Sequence, residues 1–296
     1  MITAADAGTY TLGDRTVRRM GFGSMRITAN PDRGRALQVL RTAVELGVNH
    51  IDTAAFYVSP GGTLGIDGGP TRHAAELIRA ALSPYPEDLV IATKVGPAYD
   101  PEHGWHQART AAELRQQVEA NLRLLGRDYL DVVNLRIFRR PGQDSIAERF
   151  GALADMRADG LIRHLGLSNV RLDHLDEAQE IAPVACVQNL YGIDINRTDD
   201  AFVDECGRRN VAYVPFFSLA GDHREAGGFT DHGDAVLAVA QAHGATPQQV
   251  RLAWTLHRGD HLLSIPGTGN PQHVAENIAA SALRLSPQEM ALLSTA

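Results

Sequence analysis

Cysteine is almost missing. Cys186 and Cys206 are the only two in 296 residues. They form no CxxC pair, so neither a disulfide framework nor a cysteine zinc site is expected. Aromatic residues make up only 6% of the chain. No apolar run approaches the ~18 residues needed to cross a bilayer, so no membrane partner is expected. MITAADAGTYTLGDRTVRRM has no basic start followed by an apolar run, so no signal peptide is read there. Excess positive charge is also lacking. The net charge of −7 argues against a nucleic-acid partner, which needs a basic face. A reducing, cytoplasmic setting is the expectation. Gly21-Phe22-Gly23 lacks the third glycine of a dinucleotide βαβ unit, and no GK[ST] phosphate loop occurs.

What is present is ordinary globular composition, with 44% apolar and 21% charged residues. A prior of roughly 150 residues per domain allows two domains. The pattern along the chain points to one. YTLGDRTV, Tyr10 to Val17, reads as a hairpin turning at Gly13-Asp14. Eight apolar, β-rich runs follow. They are Arg19–Gly23, Val48–Asp52, Leu89–Lys94, Leu130–Leu135, Ile162–Leu167, Val184–Gln188, Val211–Pro215 and Leu262–Ile265. Such runs suit parallel strands buried on both faces. Helical patterns separate them, as in Arg33–Leu46 before Gly47 and Ala111–Leu125 before Gly126. Two more, Asp234–His243 and Pro247–His257, lie before the last strand. The expectation is an α/β (β/α)8 TIM barrel with an N-terminal β-hairpin, spanning 1–296 as one domain. Two packed α/β domains are the alternative. Val58–Pro70, VSPGGTLGIDGGP, has glycines but no periodicity and reads as a loop or lid.

Barrel enzymes place their active site at the C-terminal ends of the strands. Polar and aromatic residues collect at those ends here. Asp52, with Tyr57 five residues on, follows strand two, Lys94 ends strand three and Arg136 follows strand four. Ser168-Asn169, Gln188-Asn189, Phe216-Phe217 and Pro266-Gly267-Thr268 follow strands five to eight. Taken singly, Asp52 reads equally as a turn cap and Tyr57 as a packed loop residue. Together they suggest acid–base chemistry. A phenol is a poor acid at neutral pH, but a nearby ammonium stabilises its phenolate. A carboxylate holding that ammonium completes a proton donor for a carbonyl oxygen.

These residues stand in HIDTAAFY, IATKVG, DYLDVVNL, GLSN, VQN and IPGT followed by HVAEN. In this order the words resemble the aldo-keto reductase family over nearly the whole chain. That resemblance implies a (β/α)8 barrel holding NADP(H) across its C-terminal face. It implies an NADP(H)-dependent reduction of an aldehyde or ketone, with Tyr57 as proton donor and Lys94 and Asp52 tuning it. Ser168, Asn169 and Gln188 match the partners of the nicotinamide carboxamide, and Phe216 the ring stacked beneath it. Phe217 belongs to the same cofactor set. Leu219, Gly267, Thr268, His273, Glu276 and Asn277 match positions around the pyrophosphate and adenosine. Gly23 and Ser24 match the edge near the nicotinamide ribose. The loops carrying Met25, Tyr99, Trp105 and Phe138 are expected to line the substrate pocket.

Two positions depart from the pattern. Arg136 stands where the family has a catalytic histidine, seven positions after Tyr129. Arginine only donates hydrogen bonds and stays charged, so a clamp on the substrate oxygen is expected rather than a proton shuttle. The alternative has Arg136 paired to a carboxylate and facing away. The arginine, within DYLDVVNLR, is similar to that of the pyridoxal-reductase-like branch. The second departure is Gly267 with His273, where many members have Lys and Arg for the 2′-phosphate. NADPH is expected, with NADH as the alternative. His103 and His106 lie close to Glu102, but no further spaced ligand follows, so solvated histidines are expected rather than a metal. Arg139 and Arg140 extend the basic edge after Arg136. A non-catalytic NADP(H) sensor on the same fold, or a cofactor-using biosynthetic enzyme with a different net reaction, are the rival functions.

Overall fold

The computed structural model describes residues 1–61, 64, 68–100, 104–138, 144–219 and 232–295. Glu102, His103, Arg139, Arg140 and part of the glycine-rich 58–70 stretch lie outside them. Strands β1 (Thr9–Leu12) and β2 (Arg15–Arg18) form the expected hairpin, with Leu12 opposite Arg15. The barrel staves begin with β3 (Phe22–Gly23) and β4 (His50–Asp52). Two short pairs of strands intervene beside the staves. They are β5 (Val58–Ser59) with β6 (Arg72–His73), and β8 (Pro97–Asp100) with β9 (Gly104–Gln107). The remaining staves are β7 (Val90–Val95), β10 (Leu130–Arg136), β11 (Ile162–Ser168), β12 (Val184–Gln188) and β13 (Ala212–Tyr213).

The staves form one parallel sheet in the order β13-β12-β11-β10-β7-β4-β3. Its two edges are joined through an eighth stave that is barely a strand. Leu262 bridges to Tyr213 on one side, and Ser264 bridges to Met20 on the other. The backbone bonds Leu263 N to Tyr213 O (2.9 Å) and Gly21 N to Ser264 O (2.7 Å) close the ring. Arg19 clasps this seam. It is 9% exposed and donates to the carbonyls of Ala7, Leu256, Gly259 and Leu262. The expected Leu262–Ile265 strand is thus a stave held by isolated bridges and alternating backbone bonds to both neighbours, rather than by a continuous ladder.

Helices cover the outside. They include α1 (Arg33–Glu45), α2 (Ala74–Leu82), α3 (Ala111–Leu125), α4 (Ala147–Ala158), α5 (Leu172–Ile181), α6 (Asp200–Arg208), α7 (Asp234–His243), α8 (Pro247–His257), α9 (Pro271–Ala279) and α10 (Pro287–Ser294). Their ends follow the capping signals. Thr110 and Glu113 exchange bonds at the start of α3, and Gly126 ends it in the left-handed region at φ 65°. Among the described residues, no helix is long and apolar enough to cross a membrane.

Strand alternation sorts the side chains. Ile91, Val133 and Leu135 point out into the core under the helices. Val90, Ala92, Val132, Cys186, Ala212, Val214 and Leu263 fill the barrel, where they meet Leu12 and Val17 of the hairpin. The hairpin is therefore the floor of the barrel. Asp14 at its turn accepts from Arg163 (2.5 Å) and His164 (2.6 Å) at the start of β11. With one end plugged, charged and amide groups gather toward the other end.

Candidate active site

The inward positions at the open end are Asp52, Lys94, Arg136, Ser168 and Gln188. Lys94 is 2% exposed and Asp52 4% exposed. Lys94 Nζ donates to Asp52 Oδ1 at 2.5 Å and to the Thr53 carbonyl at 3.1 Å. Burial works against the Lys94 charge, but Asp52 and Tyr57 beside it outweigh burial and raise its pKa above the ordinary lysine value. Lys94 Nζ lies 4.8 Å from the centre of the Tyr57 ring. The half-buried Tyr57 stands on the turn just after β4, held by its N–H to the Ala54 carbonyl at 3.0 Å. The second oxygen of Asp52 is also occupied. Gln188 Nε2 donates to Asp52 Oδ2 at 2.7 Å.

Arg136 is half-buried. Its Nη1 donates to Ser168 Oγ at 3.1 Å, and its guanidinium carbon lies 4.9 Å from the centre of the Phe216 ring. Its side chain therefore reaches toward the strand ends of β11 and Phe216. Asn169, at φ 60°, donates from Nδ2 to the Ile137 carbonyl at 2.8 Å. Phe217 also has a left-handed φ of 58°, and its ring meets Phe216 edge-on at 5.1 Å. Leu219 packs against the outer core.

Several features suit a dinucleotide with a carboxamide. Gln188 Oε1 and Ser24 Oγ are buried and have no hydrogen-bond partner among the described residues. An amide acceptor left bare beside Asp52 suits an incoming amide N–H. Gly23 and Gly267 face each other where the first and last staves meet. A Cβ on Gly267 would lie 2.5 Å from the Gly23 carbonyl, and one on Gly23 would lie 2.6 Å from the Ile265 carbonyl. Thr268 and His273 sit together at the start of α9, with Oγ1 and Nδ1 3.4 Å apart. His273 and Glu276 are exposed and Asn277 is half-buried.

A wall of aromatic rings stands beside Tyr57. Phe56 meets Tyr57 edge-on at 5.3 Å and Trp105 at 6.0 Å. Trp105 in turn meets Tyr99 at 5.4 Å. Tyr99 and Trp105 face each other across the β8–β9 hairpin, so the expected loop after strand three is a paired ribbon. Gln107 ties that ribbon to β10. It donates to the Arg136 carbonyl at 3.0 Å and accepts from Phe138 N at 3.1 Å. Met25 opens a short 3-10 turn, Met25–Ala29, after Ser24. Phe56 was not singled out from sequence. The signal lay in its place beside Tyr57, but a second aromatic in a loop reads as packing until its neighbour is known. Asn134 interrupts the apolar run of β10. Its Oδ1 accepts from the Cys186 thiol at 3.2 Å inside the barrel. Burial and the Asp52 charge push that thiol up to about 12, against Lys94, so it stays protonated and inert.

The model of the Aldo/keto reductase family matches residues 19–296. The chain belongs to that family. A pyridoxine 4-dehydrogenase of Escherichia coli is 43% identical over 299 residues, covering 97% of each chain. An uncharacterized oxidoreductase of Schizosaccharomyces pombe is 34% identical over 298 residues, covering 99% of this chain and 90% of that protein. Among solved structures, an aldo-keto reductase from Klebsiella pneumoniae in complex with NADPH is 26% identical, with a TM-score of 0.78. That likeness covers 100% of this chain and 95% of the other. The family and these relatives make this chain an NAD(P)H-dependent oxidoreductase.

Proposed function

We propose that this chain interconverts an aldehyde or ketone and its alcohol with NADP(H), with Tyr57 as proton donor. The observation that carries the reading is the buried Asp52–Lys94 pair at 2.5 Å, set 4.8 Å from the Tyr57 ring. When bound, the reduced nicotinamide supplies a hydride to the carbonyl carbon. The oxygen then gains negative charge, and Tyr57 meets it with a proton. Lys94 stabilises the phenolate left behind. Asp52 keeps Lys94 charged in a site where burial alone would favour the neutral amine. The unpartnered Gln188 Oε1 and Ser24 Oγ support a place for the cofactor. Thr268 and His273 would face the 2′-phosphate, and the NADPH complex of the Klebsiella pneumoniae relative favours NADPH over NADH.

On the substrate side, the 43% identical pyridoxine 4-dehydrogenase and the ring wall of Phe56, Trp105 and Tyr99 favour an aromatic aldehyde related to pyridoxine. Arg136 would act as a fixed charge beside the substrate oxygens, not as a proton shuttle. Steady oxidation of NADPH with aldehydes, followed by product identification, tests the reaction. In Tyr57→Phe the turnover should fall by about 10²–10⁴-fold, the usual scale of general-acid catalysis. Cofactor binding, followed by protein fluorescence, should persist in that variant. Retained turnover would overturn Tyr57 as the donor.

A further inference from the structure

We infer that Arg251 is a positioning residue for the cofactor. Through Asp194 it braces the Phe216–Phe217–Ser218 segment at the rim of the barrel and so sets the affinity for the nicotinamide nucleotide. This rests on the cofactor reading above and adds a residue that lies on an outer helix, away from the strand ends.

Arg251 belongs to α8, yet it is only 1% exposed. A guanidinium keeps its charge, and burying it unpaired is costly. An apolar side chain of similar volume is often as good for stability as a buried ion pair, or better. The charge therefore points to a role in placing a neighbour. That neighbour is Asp194. Nη1 and Nη2 of Arg251 donate to Oδ1 and Oδ2 of Asp194 at 2.7 and 2.8 Å, a two-pronged pair of fixed geometry. Burial works against the Asp194 charge, but the bonds and charge of Arg251 outweigh it and hold the carboxyl below its ordinary range. Nε of Arg251 donates to His232 Nδ1 at 3.3 Å. One buried cation thus ties α8 to two distant stretches of chain.

Asp194 sits in a tight turn. Gly192 N donates to the Ile195 carbonyl at 3.0 Å, and Ile195 N donates to the Gly192 carbonyl at 3.2 Å. This turn leans on the loop after β13. A Cβ on Gly192 would lie 3.3 Å from the Cα and from the carbonyl oxygen of Ser218. Just before the turn, Leu190 bridges to Phe216, whose N–H donates to the Asn189 carbonyl at 3.0 Å. The stretch from Asn189 to Ile195 is therefore the backing of Phe216–Ser218. That segment needs a backing. Phe217 holds a left-handed φ of 58°, which a bulky residue keeps only where its surroundings over-determine it. Its ring meets that of Phe216, and Phe216 lies under the Arg136 guanidinium at the rim. The line from α8 to the rim thus runs through Asp194, Gly192 and Ser218 to Phe216.

Without the brace, the turn is free to retreat from Ser218, and the Phe216–Phe217 pair loses its preset shape. The nucleotide must then order that segment as it binds, and its affinity falls by that cost. Tyr57, Lys94 and Asp52 stand on other staves and keep their geometry.

The test measures the dissociation constant of NADPH by nucleotide fluorescence on the full chain, together with kcat and KM for a reducible aldehyde. Arg251→Met should weaken NADPH binding by about tenfold, while kcat at saturating NADPH stays within about twofold. Asp194→Asn should weaken binding in the same direction, by about threefold or more. Its side chain is 44% exposed, so this variant keeps the fold. The double variant should bind no worse than Arg251→Met alone, because both changes act through one pair. A purely structural role reads differently. Leu153 is buried in α4, which packs between α3 and α5. Leu153→Ala should lower the melting temperature and leave the NADPH constant unchanged. If Arg251→Met and Asp194→Asn follow that same pattern, or if their losses multiply in the double variant, the inference is overturned. Should Arg251→Met fail to fold, Asp194→Asn decides alone, and unchanged NADPH affinity there overturns the inference. A parent chain that binds NADPH yet reduces no aldehyde overturns the reductase reading and leaves this comparison intact. A parent chain that binds neither NADPH nor NADH overturns both.

Discussion

Gln188 and Lys94 hold the two oxygens of Asp52, at 2.7 and 2.5 Å, so the carboxylate has no freedom to turn. Gln188, proposed above as a partner of the cofactor carboxamide, is thus also a support of the proposed proton-donor assembly. Gln188→Met should lower kcat/KM by about tenfold, since a hydrogen bond to a charged group contributes roughly 1.5–3 kcal/mol. Gln188→Glu should be worse, because it sets a second carboxylate against Asp52. Steady-state kinetics on both variants check the order. A glutamate variant as active as the methionine variant would contradict it.

Restoring the family's lysine at position 267 should fail. Any Cβ there meets the Gly23 carbonyl at 2.5 Å, and backbone gives way less readily than a side chain. Gly267→Lys should therefore weaken NADPH binding and lower the melting temperature. His273→Arg meets no such obstacle, because His273 is exposed. It should improve the preference for NADPH over NADH by about tenfold through a permanent charge. Titration of both variants with both nucleotides reads the two effects.

Trp105 contributes flat surface and little to proton transfer. Trp105→Ala should raise KM for aromatic aldehydes by roughly threefold to tenfold, the scale of one aromatic contact. It should leave kcat for small aliphatic aldehydes near its starting value. An equal fall for both substrate types would remove the ring wall from substrate binding.

His50 predicts a pH dependence of stability. It is buried inside the barrel wall, and burial lowers its pKa to about 4, opposed by the Arg18 backbone. The unfolded chain binds that proton near the ordinary histidine value of about 6.5. Stability from neutral His50 is therefore complete above about pH 6.5 and is lost as pH falls toward 4, by on the order of 3 kcal/mol. Gly21 packs against this ring, where a Cβ would lie 2.2 Å from Nε2. His50→Gln should flatten the fall in melting temperature between pH 7 and 4.5, even if it lowers the value at pH 7. A slope identical to that of the parent protein would clear His50 of this role.

Most of the barrel was legible because parallel staves are apolar on both faces. Val90–Val95 and Leu130–Arg136 stand out as largely apolar runs, and Lys94 and Arg136 near their ends mark the open end. The hairpin announced itself through Gly13-Asp14. What escaped the sequence depends on partners distant in the chain. Phe56 acquires meaning only from Trp105, and the β5–β6 pairing brings Val58 against His73 across the glycine-rich stretch. Asn134 inside an apolar strand was a visible anomaly, but its partner Cys186 lies two staves away. Arg19 read as the start of a strand, and its grip on four carbonyls needs the folded chain to be seen.

That grip bears on how the barrel breathes. Between Tyr213 and Met20 the wall is joined by two isolated bridges, short backbone bonds and one arginine, whereas its far side carries ladders of up to six register pairs. The cheapest local opening should therefore run along this join. Gly23 and Gly267 are its two lips at the rim. A cofactor bound across both, as proposed, would act as a suture, so that holding it and keeping the barrel shut would become a single equilibrium.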